Sequence, residues 1–294
     1  MAIKPPEPES QFDFLPPHSR AKIDYVAAAP DVALRCIEFS PETSRVPFRM
    51  LFVPGWISWM DSWRHFLNHL AARLPLHYLE TREKPTARVN GTAEFALHDI
   101  AGDIVNVAEH YRFPDGEYAL VGSSLGATAV IEIANRLPKK PFCIVLMLPN
   151  ADFQMPRSIV ILKALPYRLL MPAKRLVQWI MVKFKINPDD ADHRQHFIAA
   201  LTAADSVRLK ESALGLRNYR LDWNTLAAID IPCLVVGAAA DIQHDQDNIM
   251  KIYHHLPNAE YRDLRTFTSS HSSRAAQIVY DYICEKYDQS KATP

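Results

Sequence analysis

Four short runs in this chain are apolar without alternation: RMLFV at 49–53, YALV at 118–121, CIVLML at 143–148 and CLVVG at 233–237. A strand with one wet face alternates apolar and polar residues. A continuous run needs both faces covered. The stretches between these runs follow another period. Trp63, Phe66, Leu67, Leu70 and Leu74 recur at helical spacing, and 92–111 and about 124–136 read as amphipathic helices. LHYLE at 76–80 is a short strand. Alternating strands and helices predict an α/β fold, a mostly parallel, doubly wound sheet with helices on both faces.

The rhythm extends in both directions. KIDYVA and ALRCIEF read as early strands, DQDNIMKIYHHL as a helix, AEYRDLRTF as a last strand ending near Phe267, and SRAAQIVYDYICEKY as the closing helix. Residues 150–222 interrupt it with helical patterns and no good strand. The expected organisation is therefore a core at 21–149 and 223–288, an all-helical insertion at 150–222, a loose segment at 1–20 and a frayed tail at 289–294.

Lys plus Arg and Asp plus Glu both number 33 in 294 residues, so the net charge is zero. Such a chain has no overall attraction for a polyphosphate, and nucleic acid is not an expected partner. Cys36, Cys143, Cys233 and Cys284 lie far apart, without a CxxC pair. They read as buried free thiols suited to a reducing compartment. The proline-rich start has no apolar core of the signal-peptide kind. A cytoplasmic protein is expected.

Within YALVGSSLGATAV, Ser124 stands between Gly122 and Gly126, with strand before and helix after. A serine on so sharp a turn projects its hydroxyl, and glycines are needed where a Cβ would strike the neighbouring strand and helix. The helix N-terminus beneath it suits a developing oxyanion. Ser123 is the rival, but the glycine frame centres on Ser124.

A serine nucleophile needs a base, and the base needs an orienting acid. On a parallel sheet both belong in loops at the carboxyl ends of later strands. Asp241, after CLVVG, is the favoured acid, and Asp152 after the 143–148 run is the alternative. Asp245 and Asp247 suit a helix start. His271, in the TSSHSS loop after the last strand, is the expected base; His254 and His255 fall on a helix. The backbone N–H groups of Leu125 and of Trp56, in the PGW turn at 54–56, are the expected oxyanion donors.

PGW, GSSLG, Asp241 after LVVG, and His271 together resemble the α/β-hydrolase superfamily over roughly residues 20–288. The resemblance implies a helical cap at about 150–222, Ser124 as nucleophile, His271 as general acid/base and Asp241 as orienting acid. Three places depart from the family pattern. Pro54 stands where many members have histidine, LETREKPTA replaces a glycine-rich turn, and the GAAAD loop is one residue longer. A serine nucleophile argues against the dehalogenase and epoxide-hydrolase members, which use a carboxylate.

Trp56, Trp59, Met155, Leu165, Leu169, Met171, Trp179 and Met181 either line an acyl pocket or pack the insertion, and together favour a hydrophobic acyl group. The basic, apolar run 158–185 also suits a peripheral membrane contact. DIQHDQD (Asp241, His244, Asp245, Asp247) superficially suggests a metal site, but the triad and helix capping account for it, so no metal is expected. No cofactor is expected either, because no phosphate loop or dinucleotide fingerprint is present. The expected function is a serine hydrolase of carboxylic esters, of esterase or lipase type. Acyl transfer or carbon–carbon bond hydrolysis by the same triad, and a non-catalytic ligand-binding protein, remain as alternatives.

Overall fold

The computed structural model describes residues 10–91, 93–153, 155, 157–184, 191–241 and 244–292. Among them nine strands form one sheet: β1 (Ser19–Ala29), β2 (Val32–Pro41), β3 (Arg49–Val53), β4 (Leu76–Leu79), β5 (Arg88–Val89), β6 (Tyr118–Ser123), β7 (Cys143–Met147), β8 (Cys233–Gly237) and β9 (Ala259–Asp263). Their order is β1-β2-β4-β3-β6-β7-β8-β9, with β5 paired to β2. Every neighbouring pair from β4 to β9 is parallel, whereas β2 runs antiparallel to β1, β4 and β5. The four continuous apolar runs became β3, β6, β7 and β8, side by side at the sheet centre, as burial on both faces requires.

The two faces separate cleanly. Leu51, Val53 and Leu120 join a core with residues of α2 (Leu97–His110), α3 (Leu125–Ile133) and α8 (Gln246–His255). Met50, Phe52 and Val121 point the other way, into a core with α1 (Arg64–Ala71) and α10 (Ser273–Ala292). The period of two thus assigns alternate residues to opposite layers. Phe52 anchors the second layer, its ring centroid 4.7 Å from Trp63, 5.4 Å from Phe66 and 5.6 Å from Tyr78.

Between β7 and β8 the chain leaves the sheet. A 3₁₀ stretch (Arg157–Ala164), α4 (Tyr167–Phe184), α5 (Ala191–Ala203) and α6 (Ser206–Leu216) pack on one another, and a short α7 (Trp223–Ala227) leads back. The departing and returning strands of chain are stitched together. Leu221 N–H donates to the Ala151 carbonyl at 2.8 Å, and Asp152 and Arg220 form an isolated antiparallel bridge.

Several boundaries differ from expectation. Residues 1–9 of the expected loose start lie outside the described residues, but 10–18 are packed rather than loose. Phe12 meets Phe39 edge-on, Phe14 is buried, Arg35 hydrogen-bonds Gln11, and Arg64 pairs with Asp13 at 2.8 Å. The expected tail is helical as far as Ala292. The last strand stops at Asp263, because Arg265 turns at φ 67° and the Thr266 side chain accepts the Ser269 N–H, starting α9 (Phe267–Ser270). Among the described residues no helix is long and apolar enough to cross a membrane. All four cysteines are free, and burial pushes the Cys36 and Cys233 thiols up to about 12.

Candidate active site

The turn from β6 into α3 is strained at one residue. Ser124 has φ 49° and ψ −113°, a conformation rare for a residue with a Cβ. Its N–H is held by the Met147 carbonyl at 2.8 Å. The flanking glycines are steric necessities. A Cβ on Gly126 would stand 2.1 Å from the Val53 carbonyl oxygen, and one on Gly122 would stand 2.6 Å from the Ala127 backbone. Ser123 is buried in the strand, so Ser124 is the serine the turn presents.

Two side chains converge on the Ser124 hydroxyl. His244 Nε2 lies 2.9 Å from Oγ, and Asn150 Nδ2 donates to Oγ at 3.2 Å. On the far side of the ring, His244 Nδ1 lies 2.6 Å from Asp241 Oδ2. The carboxylate can only accept, so Nδ1 carries the proton and Nε2 is left as acceptor for the hydroxyl. The Asn150 N–H occupies a lone pair of Oγ, which directs the hydroxyl proton toward His244. The Asp241 side chain is 1% exposed and that of His244 is 8% exposed, so the pair is shielded from competing water.

The histidine at Ser124 is therefore His244, and the expectation of His271 is corrected. His271 closes α9, with Nδ1 3.0 Å from Ser270 Oγ and 3.1 Å from the Phe267 carbonyl. Its ring lies 3.9 Å from that of Trp63 and 4.5 Å from that of Phe267. The Thr266 cap winds this loop into a helical turn and commits His271 to aromatic packing. Phe267 also lies parallel to the His244 ring, at 6.2 Å and 7°. Of the two candidate acids, Asp241 is the one bonded to a histidine. Asp152 sits at the base of the insertion, 4.0 Å from Arg220.

Sequence reasoning set His244 aside as part of a false metal cluster and did not single out Asn150. The signal for His244 was the Asp-x-x-His spacing in the lengthened loop after β8. That for Asn150 was its place at the carboxyl end of β7, beside the turn.

The PGW turn lies against the serine, since a Cβ on Gly55 would stand 3.2 Å from Ser124 Cβ. Leu125 is the first residue of α3, where a helix leaves its N–H groups without intrahelical acceptors. Helix α6 roofs this turn. Ser212 Oγ accepts the Trp56 indole N–H at 2.9 Å, and Arg208 donates to the carbonyls of Lys84 and Ala87 at 2.6 and 2.8 Å. Residues 80–84, standing where a glycine-rich turn was expected, form a buried run of charges. Arg35 meets Glu80 at 3.4 Å, and Arg82 forks onto Asp103 at 2.7 and 2.6 Å. Lys84 Nζ donates to Glu83 Oε1 and to the Gly55 carbonyl, both at 2.6 Å.

The insertion contributes less to a pocket than its composition suggested. Trp56 and Met155 pack on the core, but Leu169, Met171 and Trp179 are about half exposed and face outward. The Met181 side chain lies outside the described residues. A cleft of about 810 Å³ lies elsewhere, with Val89, Gly91 and residues 93–96 on one side and α6 on the other.

No protein-family profile matches the chain, and no curated protein matches its sequence. Solved structures do match. The chain is similar to an enol-lactonase from Burkholderia xenovorans, with TM-score 0.75 and 13% identity, covering 89% of this chain and 100% of that one. It is similar to a thermophilic esterase from Thermogutta terrifontis, with TM-score 0.74 and 13% identity over 90% and 99% of the two chains. It is also similar to naproxen esterase from Bacillus subtilis, with TM-score 0.67 and 13% identity over 93% and 94%.

Proposed function

We propose that this chain, which has the α/β-hydrolase fold, is a serine hydrolase that cleaves carboxylic esters through an acyl-enzyme on Ser124. The observation that carries the reading is the hydrogen-bonded series Ser124–His244–Asp241 behind a strained strand-to-helix turn. In the first step Ser124 Oγ attacks the ester carbonyl carbon while His244 Nε2 takes its proton. The carbonyl oxygen becomes an oxyanion, for which the N–H groups of Trp56 and Leu125 are the donors. Collapse expels the alkoxide, which takes the proton from His244. Water then repeats the sequence on the acyl-enzyme and releases the acid.

Asp241 holds the reactive tautomer and stabilises the imidazolium. A pair of backbone donors typically lowers such a barrier by several kcal/mol. The Phe267 ring, parallel to the His244 ring at 6.2 Å, supports a hydrophobic acyl group beside the imidazole. Esterase and lactonase names among the similar structures support ester chemistry.

The test is labelling by a fluorophosphonate probe, followed by hydrolysis of a chain-length series of model esters. The wild type labels and turns over, and Ser124→Ala does neither. A folded wild type that neither labels nor hydrolyses any ester in the series would overturn the reading.

A further inference from the structure

We propose that the outer face of the 157–184 segment docks onto an anionic lipid surface. Among the described residues, nine of the ten exposed large hydrophobics lie between Val160 and Ile180, and the tenth is Val207. A soluble surface rarely concentrates its apolar side chains in this way. The segment from Arg157 to Phe184 contains no Asp or Glu, in a chain whose net charge is zero. Lys163, Arg168, Arg175 and Lys183 are exposed along it.

The two sides of α4 are distinct. Leu170 and Lys174, one turn apart, face inward, and the Lys174 ammonium donates to the Thr202 and Ala204 carbonyls at 3.1 and 2.8 Å. Leu169, Leu176, Trp179 and Ile180 face out. The Lys183 ammonium stands 4.9 Å over the Trp179 ring, a basic and aromatic pairing that suits a headgroup boundary. Apolar groups that enter the acyl boundary, flanked by cations that meet anionic headgroups, complement a lipid surface. A twofold contact with a second copy would set these four cations against themselves.

The test is co-sedimentation of the full chain with vesicles of phosphatidylcholine alone and of phosphatidylcholine with roughly one-third phosphatidylserine. The expected result is at least about tenfold stronger partitioning onto the anionic vesicles, weakened by salt. Leu176→Ser/Trp179→Ser/Ile180→Ser and Arg168→Glu/Arg175→Glu/Lys183→Glu should each abolish it while the melting temperature holds. Three results would overturn the proposal: no binding by the wild type, binding that survives both triple variants, or a dimer in solution that the serine variant dissolves.

A separate observation carries a second inference, which rests on the proposed ester hydrolysis. We infer that Lys84 is a positioning residue for the oxyanion donor at Trp56. The Gly55 carbonyl and the Trp56 N–H belong to one peptide unit, and no peptide bond among the described residues is cis. A trans unit sends its C=O and N–H in opposite directions. Lys84 Nζ and the Ser58 N–H hold the carbonyl, at 2.6 and 3.2 Å. That fixes the plane in which the N–H is presented, and the ammonium polarises the unit so that the N–H donates more strongly.

Lys84→Met should lower kcat by about 10²-fold with KM within a few-fold, and Lys84→Arg should restore part of it. Glu83→Gln/Lys84→Met removes the partner charge, so the fold is not burdened by a lone buried carboxylate, and it should show the same kcat loss. Wild-type kcat in that double variant would overturn the role of Lys84. Fluorophosphonate labelling of Ser124 in the wild type tells this failure apart from failure of the ester reading.

Discussion

Two loops leave the carboxyl edge of the sheet side by side, and each carries a histidine. They are tied together, since Ala240 N–H donates to the Arg265 carbonyl at 2.7 Å and Ala239 N–H to Asp263 Oδ1 at 3.0 Å. The loop after β8 holds Asp241 and His244, and its imidazole meets Ser124. The loop after β9 is wound by Thr266 into α9, and its imidazole packs among rings. The same residue type, two neighbouring loops and one shared neighbour in Phe267 give opposite roles. The difference follows from the Thr266 cap together with the Ala240–Arg265 tie between the loops, hydrogen bonds of a kind worth about 1 kcal/mol each.

The largest test sets the two histidines against each other. His244→Ala should lower ester turnover by up to about 10⁶-fold, and His271→Ala by no more than about tenfold. Steady-state kinetics on purified variants checks this, and the reverse order would hand the base role to the loop after β9. Next come the two acids. Asp241→Asn should cost about 10⁴-fold in kcat by upsetting the tautomer. Asp152→Asn, at the base of the insertion, should leave kcat within a few-fold. A severe loss at Asp152 would detach His244 from Asp241 in function.

The smallest test guards the pH profile by which the histidines would be compared. His77, buried between Tyr111 and Phe113, has its pKa lowered from 6.5 to about 4, chiefly by burial. The unfolded chain therefore binds this proton first. Stability is full above about 6.5, falls as pH drops, and has lost roughly 3 kcal/mol near pH 4. His77→Phe should flatten this acid limb in denaturant melts. An acid loss of activity that persists in His77→Phe belongs to the site rather than to unfolding.

What could be read from the sequence depended on how local the cause was. Burial on both faces of β3, β6, β7 and β8 is written in the runs themselves. The GSSLG turn was legible because the glycine pattern itself marks a strand running into a helix. Gly122 answers Ala127, five residues on, whereas the contact Gly126 answers, at Val53 on the neighbouring strand, is distant in sequence. Asp241 was legible because a strand end and a turn place it. The histidine that meets Ser124 was not, because His244 sits among carboxylates that look like a metal cluster while the loop after the last strand offered His271. The choice rests on how Thr266, Arg265 and Ala240 meet across strands. Residues 80–84 were illegible for a related reason. Their charges look like a solvated loop until Arg35, Asp103 and Gly55, distant in sequence, supply the partners.

The stitch at the foot of the insertion has a consequence for how such a chain can change. Because Ala151 and Leu221 are already hydrogen-bonded to each other, the sheet meets the insertion as a closed loop of fixed span. The entropy of closing a loop grows only with the logarithm of its length. Helices can therefore be gained, lost or exchanged between these two residues at little cost to the folding of the core. Descent can rebuild the helices that pack on the Trp56 turn while Ser124, His244 and Asp241 stay in place.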